Sequence, residues 1–291
     1  MNFSFESFVN GDFDYDKRKK KHNSLWIHEE DMDVGGGKIT IADIDKLKSY
    51  PNIDVVTISG LKQDTFEYFI RTYGKQFKAI RFFKNKFIED LSLLGTLPQL
   101  EYIYFFFNQR VTALWDMTQN KSLTGLAIYD FSRLTSIKGV ETAPSLKEFR
   151  VGNLVWNTMV IDSFMPLGNT KIERLAFSGK NIIDNDFSFL ETLPKLKVFD
   201  FATNIFSTEQ VAWIAANCPL ADGRALRAKV DCMLPDSNEN LVQVPKTIIV
   251  GKRKPILKVK GNEEKIQNYV DSFERLKKKY KRIPYKVAFP S

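Results

Sequence analysis

Read for apolar spacing, the chain repeats one short pattern. A proline stands two residues before an apolar position, which is followed by apolar positions three and five residues on. Pro51 leads Ile53, Val56 and Ile58; Pro98 leads Leu100, Ile103 and Phe105; Pro144 leads Leu146, Phe149 and Val151; Pro194 leads Leu196, Phe199 and Phe201. Copies without the proline are Phe77/Ile80/Phe82, Leu123/Leu126/Ile128 and Ile172/Leu175/Phe177. The starting positions 53, 77, 100, 123, 146, 172 and 196 are 23 to 26 residues apart. A second register agrees: "DLSLLGTLP" (90–98) and "DFSFLETLP" (186–194) align without a gap.

Side chains alternate along a strand. Positions 1, 4 and 6 of each copy are therefore expected in a continuous core between stacked repeats, and positions 3, 5 and 7 on the opposite face of a parallel sheet. In "LPQLEYIYFFFNQRV" (97–111) this buries Leu100, Ile103 and Phe105 and turns Tyr102, Tyr104 and Phe106 toward solvent.

The pattern resembles the leucine-rich repeat family, L-x-x-L-x-L-x-x-N at 20–29 residues, over roughly residues 45–215. Asn85, Asn108 and Asn204 fill the asparagine position; Leu61, Phe131, Leu154 and Lys180 stand there in the other copies. The resemblance implies an α/β leucine-rich-repeat solenoid, with a curved parallel sheet on the concave face, helices or irregular turns on the convex face, and a cap at each end. The irregular, Phe-rich copies look like those of stand-alone bacterial members. The expected division is an N-terminal cap (1–40), about seven repeats (41–219), and a linker with a basic ββα cap (220–291).

Outside the strands, "DTFEYFIRTYG" (64–74) and "STEQVAWIAANCP" (207–219) read as helices, the second capped by Ser207 or Thr208. "IADIDKLKSY" places Ile41, Ile44 and Leu47 on one face. "NQRVTALWDMTQN" is too irregular for a helix, and "SLWIH" (24–28) could add a strand beside the first repeat. Residues 235–246 look like a linker, 247–259 like a hairpin around "GKRKP", and 262–281 like an amphipathic helix with Asn262 as N-cap.

Charge changes the picture only locally. Of 43 Lys/Arg and 35 Asp/Glu, residues 220–291 hold 17 and 8, so the net +8 resides in the C-terminal quarter. The two cysteines, Cys218 and Cys232, form no CxxC pair, and no metal or cofactor is expected. "KRKKKH" (17–22) reads as a solvated loop, and "VGGGK" (34–38) lacks Walker spacing and reads as a flexible turn. Neither a signal peptide nor a membrane-length apolar run is present, which points to the cytoplasm. His22, His28, Cys218 and the Glu29/Glu30 and Asp31/Asp33 pairs assemble no nucleophile–base arrangement, so the chain is expected not to be an enzyme.

The outward positions carry the candidate chemistry. Phe83, Tyr102, Tyr104, Phe106 and Tyr129 should cluster on three neighbouring strands, flanked by Arg81, Arg150 and Arg174. Aromatics and Arg are enriched at binding hot spots, and the resemblance implies protein recognition, so a protein or peptide partner is expected there. The structural alternatives are that these aromatics stack on each other, or lie under a terminal segment folded back across the sheet. Replacing Tyr102 and Tyr104 with Ala is expected to abolish binding at a cost below about 1 kcal/mol, as for exposed sites. The alternative partner is nucleic acid or an anionic surface, met through Lys252, Arg253, Lys254, Lys277, Lys278 and Lys279. A third reading is a subunit or effector whose catalytic part is on another chain.

Overall fold

A computed structural model describes residues 3–12, 15–16, 21–22, 24–29, 35–156, 158–218, 222–235 and 242–290. The chain is mixed α/β, with a sheet of eight strands in chain order. These are β1 (Leu25–Ile27), β2 (Val55–Ile58), β3 (Ala79–Phe83), β4 (Tyr102–Asn108), β5 (Gly125–Phe131), β6 (Glu148–Gly152), β7 (Arg174–Ser178) and β8 (Val198–Phe201). The chain divides into two compact units, 1–172 with 178–185, and 173–177 with 186–291.

In the first unit β1 to β6 pair parallel, each with the next, and "SLWIH" supplies β1. The register aligns the repeat positions. Val56, Ile80, Ile103, Leu126 and Phe149 form one row, and Ile58, Phe82, Phe105, Ile128 and Val151 the next. Every one of them is buried, together with Phe77, Leu100, Leu123 and Leu146 at position 1. At position 8 the backbone turns left-handed in four successive copies: φ is +71° at Gly60, +58° at Lys84, +64° at Phe107 and +55° at Asp130. The turn is completed by buried asparagines. Asn85 accepts from the Leu61 N–H at 2.8 Å and donates to the Ile58 carbonyl at 2.9 Å, and Asn108 donates to the carbonyls of Asn85 and Ile88.

The return segments take different forms. Gln63–Tyr73 is a helix that buries Phe66, Phe69 and Ile70. Other return segments use a single 3-10 turn, such as Ser92–Thr96, entered where the Asp90 carboxylate accepts from the Ser92 N–H. The short helix Ile41–Asp45 carries a Thr40/Asp43 capping box. Ile44 and Leu47 are buried, but Ile41 is exposed, so the expected three-residue face is reduced to two.

In the second unit β7 pairs parallel with β8, and the helix Thr208–Asn217 is closed by a Ser207/Gln210 capping box. Its Trp213 is buried and donates Nε1–H to the Ile283 carbonyl at 2.7 Å. Three antiparallel strands follow: β9 (Lys229–Pro235), β10 (Gln243–Ile249) and β11 (Ile256–Lys258). The expected ββα unit therefore gains a strand, and residues 243–246 of the expected linker belong to β10. The helix Glu263–Tyr280 buries Ile266, Phe273 and Tyr280. Asn262 sits at its N-terminus, but the side chain donates to the Lys258 carbonyl instead of capping.

Candidate functional site

The site begins with a helix absent from the expected elements, α1 (Phe5–Asn10). Six residues make a helix about 9 Å long, too short to persist alone. Both ends are closed: Ser4 accepts from the Ser7 N–H at 3.1 Å, and Gly11 ends the helix at φ +84°. Phe5 and Phe8 share one face and are buried.

That face lies on the outward side of the sheet. The outward rows are Val55–Ala79–Tyr102–Gly125–Glu148, Thr57–Arg81–Tyr104–Ala127–Arg150 and Phe83–Phe106–Tyr129–Gly152. Phe5 and Phe8 join Ala79, Tyr104, Ala127 and Tyr129 in one buried cluster. Small residues make the seat. A Cβ added at Gly125 would lie 2.3 Å from a ring carbon of Phe5, so the ring rests on bare backbone. Phe8 packs at 5.6 Å from the Tyr102 ring centre.

Two guanidinium groups hold the helix. Arg150 pairs with Glu6 of α1 and lies 5.6 Å from the centre of the Phe5 ring. Arg81 lies over the Tyr104 ring at 4.6 Å and donates to the Val9 carbonyl at 3.4 Å, at the end of α1 where the helix dipole is negative.

The expected face is therefore correct and the expected exposure is not. Tyr104 is 4% exposed, Phe106 and Tyr129 are 6% and Arg81 is 7%, because residues of the chain's own N-terminus lie over them. Phe83 and Tyr102 are half-buried against the same cluster. Burial raises the Tyr102 and Tyr104 hydroxyls above the ordinary tyrosine range and pushes Tyr129 up to about 12. A Tyr104→Ala change is thus a core deletion, worth roughly 3–5 kcal/mol by analogy with buried aromatics, not the small cost expected of a surface site. Arg174 is exposed and belongs to the second unit.

Beside the covered cluster the aromatic row continues into solvent. The Phe83 ring lies tilted against Phe106 at 5.2 Å, and Trp156 lies 6.2 Å from Phe106 and 4.6 Å from Phe107. Trp156 is 42% exposed, and Leu154 and Val155 are more so. Hydrogen bonds anchor residues 154–156 of this loop. The buried Asp130 carboxylate accepts from the backbone N–H groups of Leu154, Val155 and Trp156. Phe107 holds a left-handed backbone that a bulky residue adopts only at a cost of about 1–2 kcal/mol. Sequence reading missed α1, Phe107 and this loop. The Ser4…Gly11 bracket around Phe5 and Phe8 was the only local signal.

The basic candidates belong to the second unit. Lys252, Arg253 and Lys254 form the exposed turn between β10 and β11, and Lys277, Lys278 and Lys279 end the helix 263–280. Lys277 is paired with Glu274 at 3.1 Å, and Lys254 lies 5.5 Å from the Tyr269 ring centre. Burial pushes the Cys218 thiol up to about 12, away from nucleophilic use. The Gly-rich turn is structural, since the N–H groups of Gly35, Gly36 and Lys38 donate to the Glu29 carboxylate. His28 Nδ1 lies 3.1 Å from the Glu29 carbonyl oxygen. Glu30, Asp31, Asp33, residues 17–20 and residues 236–241 lie outside the described residues, as does the side chain of His22. Among the described residues no group of three His, Cys, Asp or Glu side chains could hold a metal, and no helix is long and apolar enough to cross a membrane. The chain matches no protein-family model and no curated protein.

Proposed function

We propose that the chain is a leucine-rich-repeat solenoid that recognises a protein or peptide without catalysing a reaction on it, through the sheet face that carries α1. The observation behind this reading is the seat itself: outward rows of small and aromatic side chains receive two phenylalanines of a short helix, with Arg81 and Arg150 at its polar positions. Helix-in-groove recognition uses the same elements, apolar anchors at helical spacing in an apolar groove. The exposed Trp156 loop, continuous with the covered cluster, supplies the first contact surface. Aromatic side chains of this kind are the usual anchors of protein interfaces. The alternative through the basic residues gains no support from their placement, since Lys277 is already paired and Lys254 already lies near an aromatic ring.

The test compares capture of partners from cell extract by the wild-type chain and by Trp156→Ala. A partner held by the first and released by the second, at equal thermal stability, supports the reading. A partner retained by Trp156→Ala but lost when Lys252, Arg253 and Lys254 are replaced would contradict it.

A further inference from the structure

We infer that α1 occupies, within its own chain, the place of an external helix. The partner segment would be an amphipathic helix of another protein with aromatic side chains at positions i and i+3 and a carboxylate between them, and it displaces α1 to bind. This rests on the recognition reading above and specifies its ligand.

Three features carry it. The first is shape. Gly125 leaves room for one ring, Ala79 is small beside Tyr102 in its row, and Ala127 is small between Tyr104 and Arg150 in the next. The hollow is thus written into the strands, and the rings of Phe5 and Phe8 occupy it. The second is charge and direction. Arg150 meets the carboxylate in the first turn of α1, and Arg81 meets the carbonyl of Val9 in its last turn. An incoming helix is therefore read in one orientation, acidic first turn toward Arg150 and negative dipole end toward Arg81.

The third is the limited hold of α1. A six-residue helix has little stability of its own, so its order depends on Phe5, Phe8 and the two arginines. It leaves Trp156, Leu154 and Val155 in solvent. An external helix with the same anchors and further apolar surface beside them gains contacts that α1 does not make. Against it stands the tether: a covalently linked ligand competes at an effective concentration of order millimolar. Release of α1 should therefore raise the affinity for an external helix at least tenfold.

The probe is a fluorescent peptide containing residues 3–12, titrated by anisotropy into the full chain. The opened chain is Phe5→Ala with Phe8→Ala. The expected result is binding to the opened chain at least tenfold tighter than to wild type, and loss of binding when the peptide itself carries Phe5→Ala and Phe8→Ala. Charge pairing gives an independent readout. Adding Arg150→Glu to the opened chain should invert its preference, so that a Glu6→Arg peptide binds better than the natural one. If the double variant fails to fold, Glu6→Arg in the chain repels α1 from Arg150 without removing its anchors, and a severalfold gain in peptide affinity is expected. Equal affinity of wild-type and opened chains overturns the proposal, as does a folded opened chain that does not bind. A peptide library panned on the opened chain separates the two readings. Selected binders that depend on Trp156 but lack the i, i+3 aromatic spacing would end the helix proposal and leave recognition standing. No binder at all from a folded chain would end both.

Discussion

Gly125→Ala tests how α1 is seated. At this position an added methyl would stand 2.3, 2.5 and 2.7 Å from three ring carbons of Phe5. Carbon atoms pack at about 3.5–4.0 Å, so the ring must retreat by at least about 1 Å. Phe5 then loses much of a burial contribution of about 1.5–3 kcal/mol. The strand itself benefits, because Ala in place of Gly stabilises regular structure by about 0.5–1 kcal/mol. The variant thus weakens α1 selectively. A loss of about 2 kcal/mol corresponds to roughly thirtyfold in a local opening equilibrium. Hydrogen exchange measured by mass spectrometry should show the amides of residues 8–12 exchanging some ten- to a hundredfold faster, with those of 102–108 in β4 unchanged. Unaltered protection of α1 would show that Phe5 does not depend on the bare backbone at Gly125. A global loss of protection would show that the seat is part of the core and not a docking surface.

Two further outcomes follow from the same contacts. Phe107→Gly relieves the left-handed backbone, worth about 1 kcal/mol, and gives up a half-buried ring worth about the same. Thermal denaturation should therefore show a stability change within about 1 kcal/mol, while tryptophan emission shifts toward that of exposed Trp156; a loss above about 3 kcal/mol would contradict the strain argument. Tyr129, held up to about 12 by burial, should titrate nearer the ordinary tyrosine value in the Phe5→Ala/Phe8→Ala chain, read as the tyrosinate absorbance lost on Tyr129→Phe. Because its folded value is raised, the stability it contributes is complete below about 10 and disappears as pH rises through about 12; a Tyr129 titration unaffected by release of α1 would place its burial elsewhere.

The strands and their faces were legible because alternation within a strand and spacing between copies are both local signals. They assigned Leu100, Ile103 and Phe105 to the core and Tyr102, Tyr104 and Phe106 to the other face without tertiary information. What covers that face was not legible. Phe5 and Gly125 are 120 residues apart in the chain, and no periodicity links them. Gly125 and Ala127 carry no local signal of their own, although their smallness is what admits the helix. The Trp156 loop is likewise fixed from a distance, by Asp130 in the preceding copy. Asn262 holds the expected N-cap position, but its side-chain amide donates to the Lys258 carbonyl, a partner the residue type did not announce.

The most direct measurement follows α1 in the chain with its helix unaltered. Phe8 is replaced by a fluorinated phenylalanine, and fluorine NMR is recorded while an unlabelled helical peptide with the Phe5–Phe8 spacing is added. If the sheet face exchanges its own helix for another, the resonance of the docked ring declines and that of a solvated ring grows in step with peptide occupancy. A docked resonance that persists at saturating peptide would show that α1 is a fixed part of the fold and that any partner is met elsewhere.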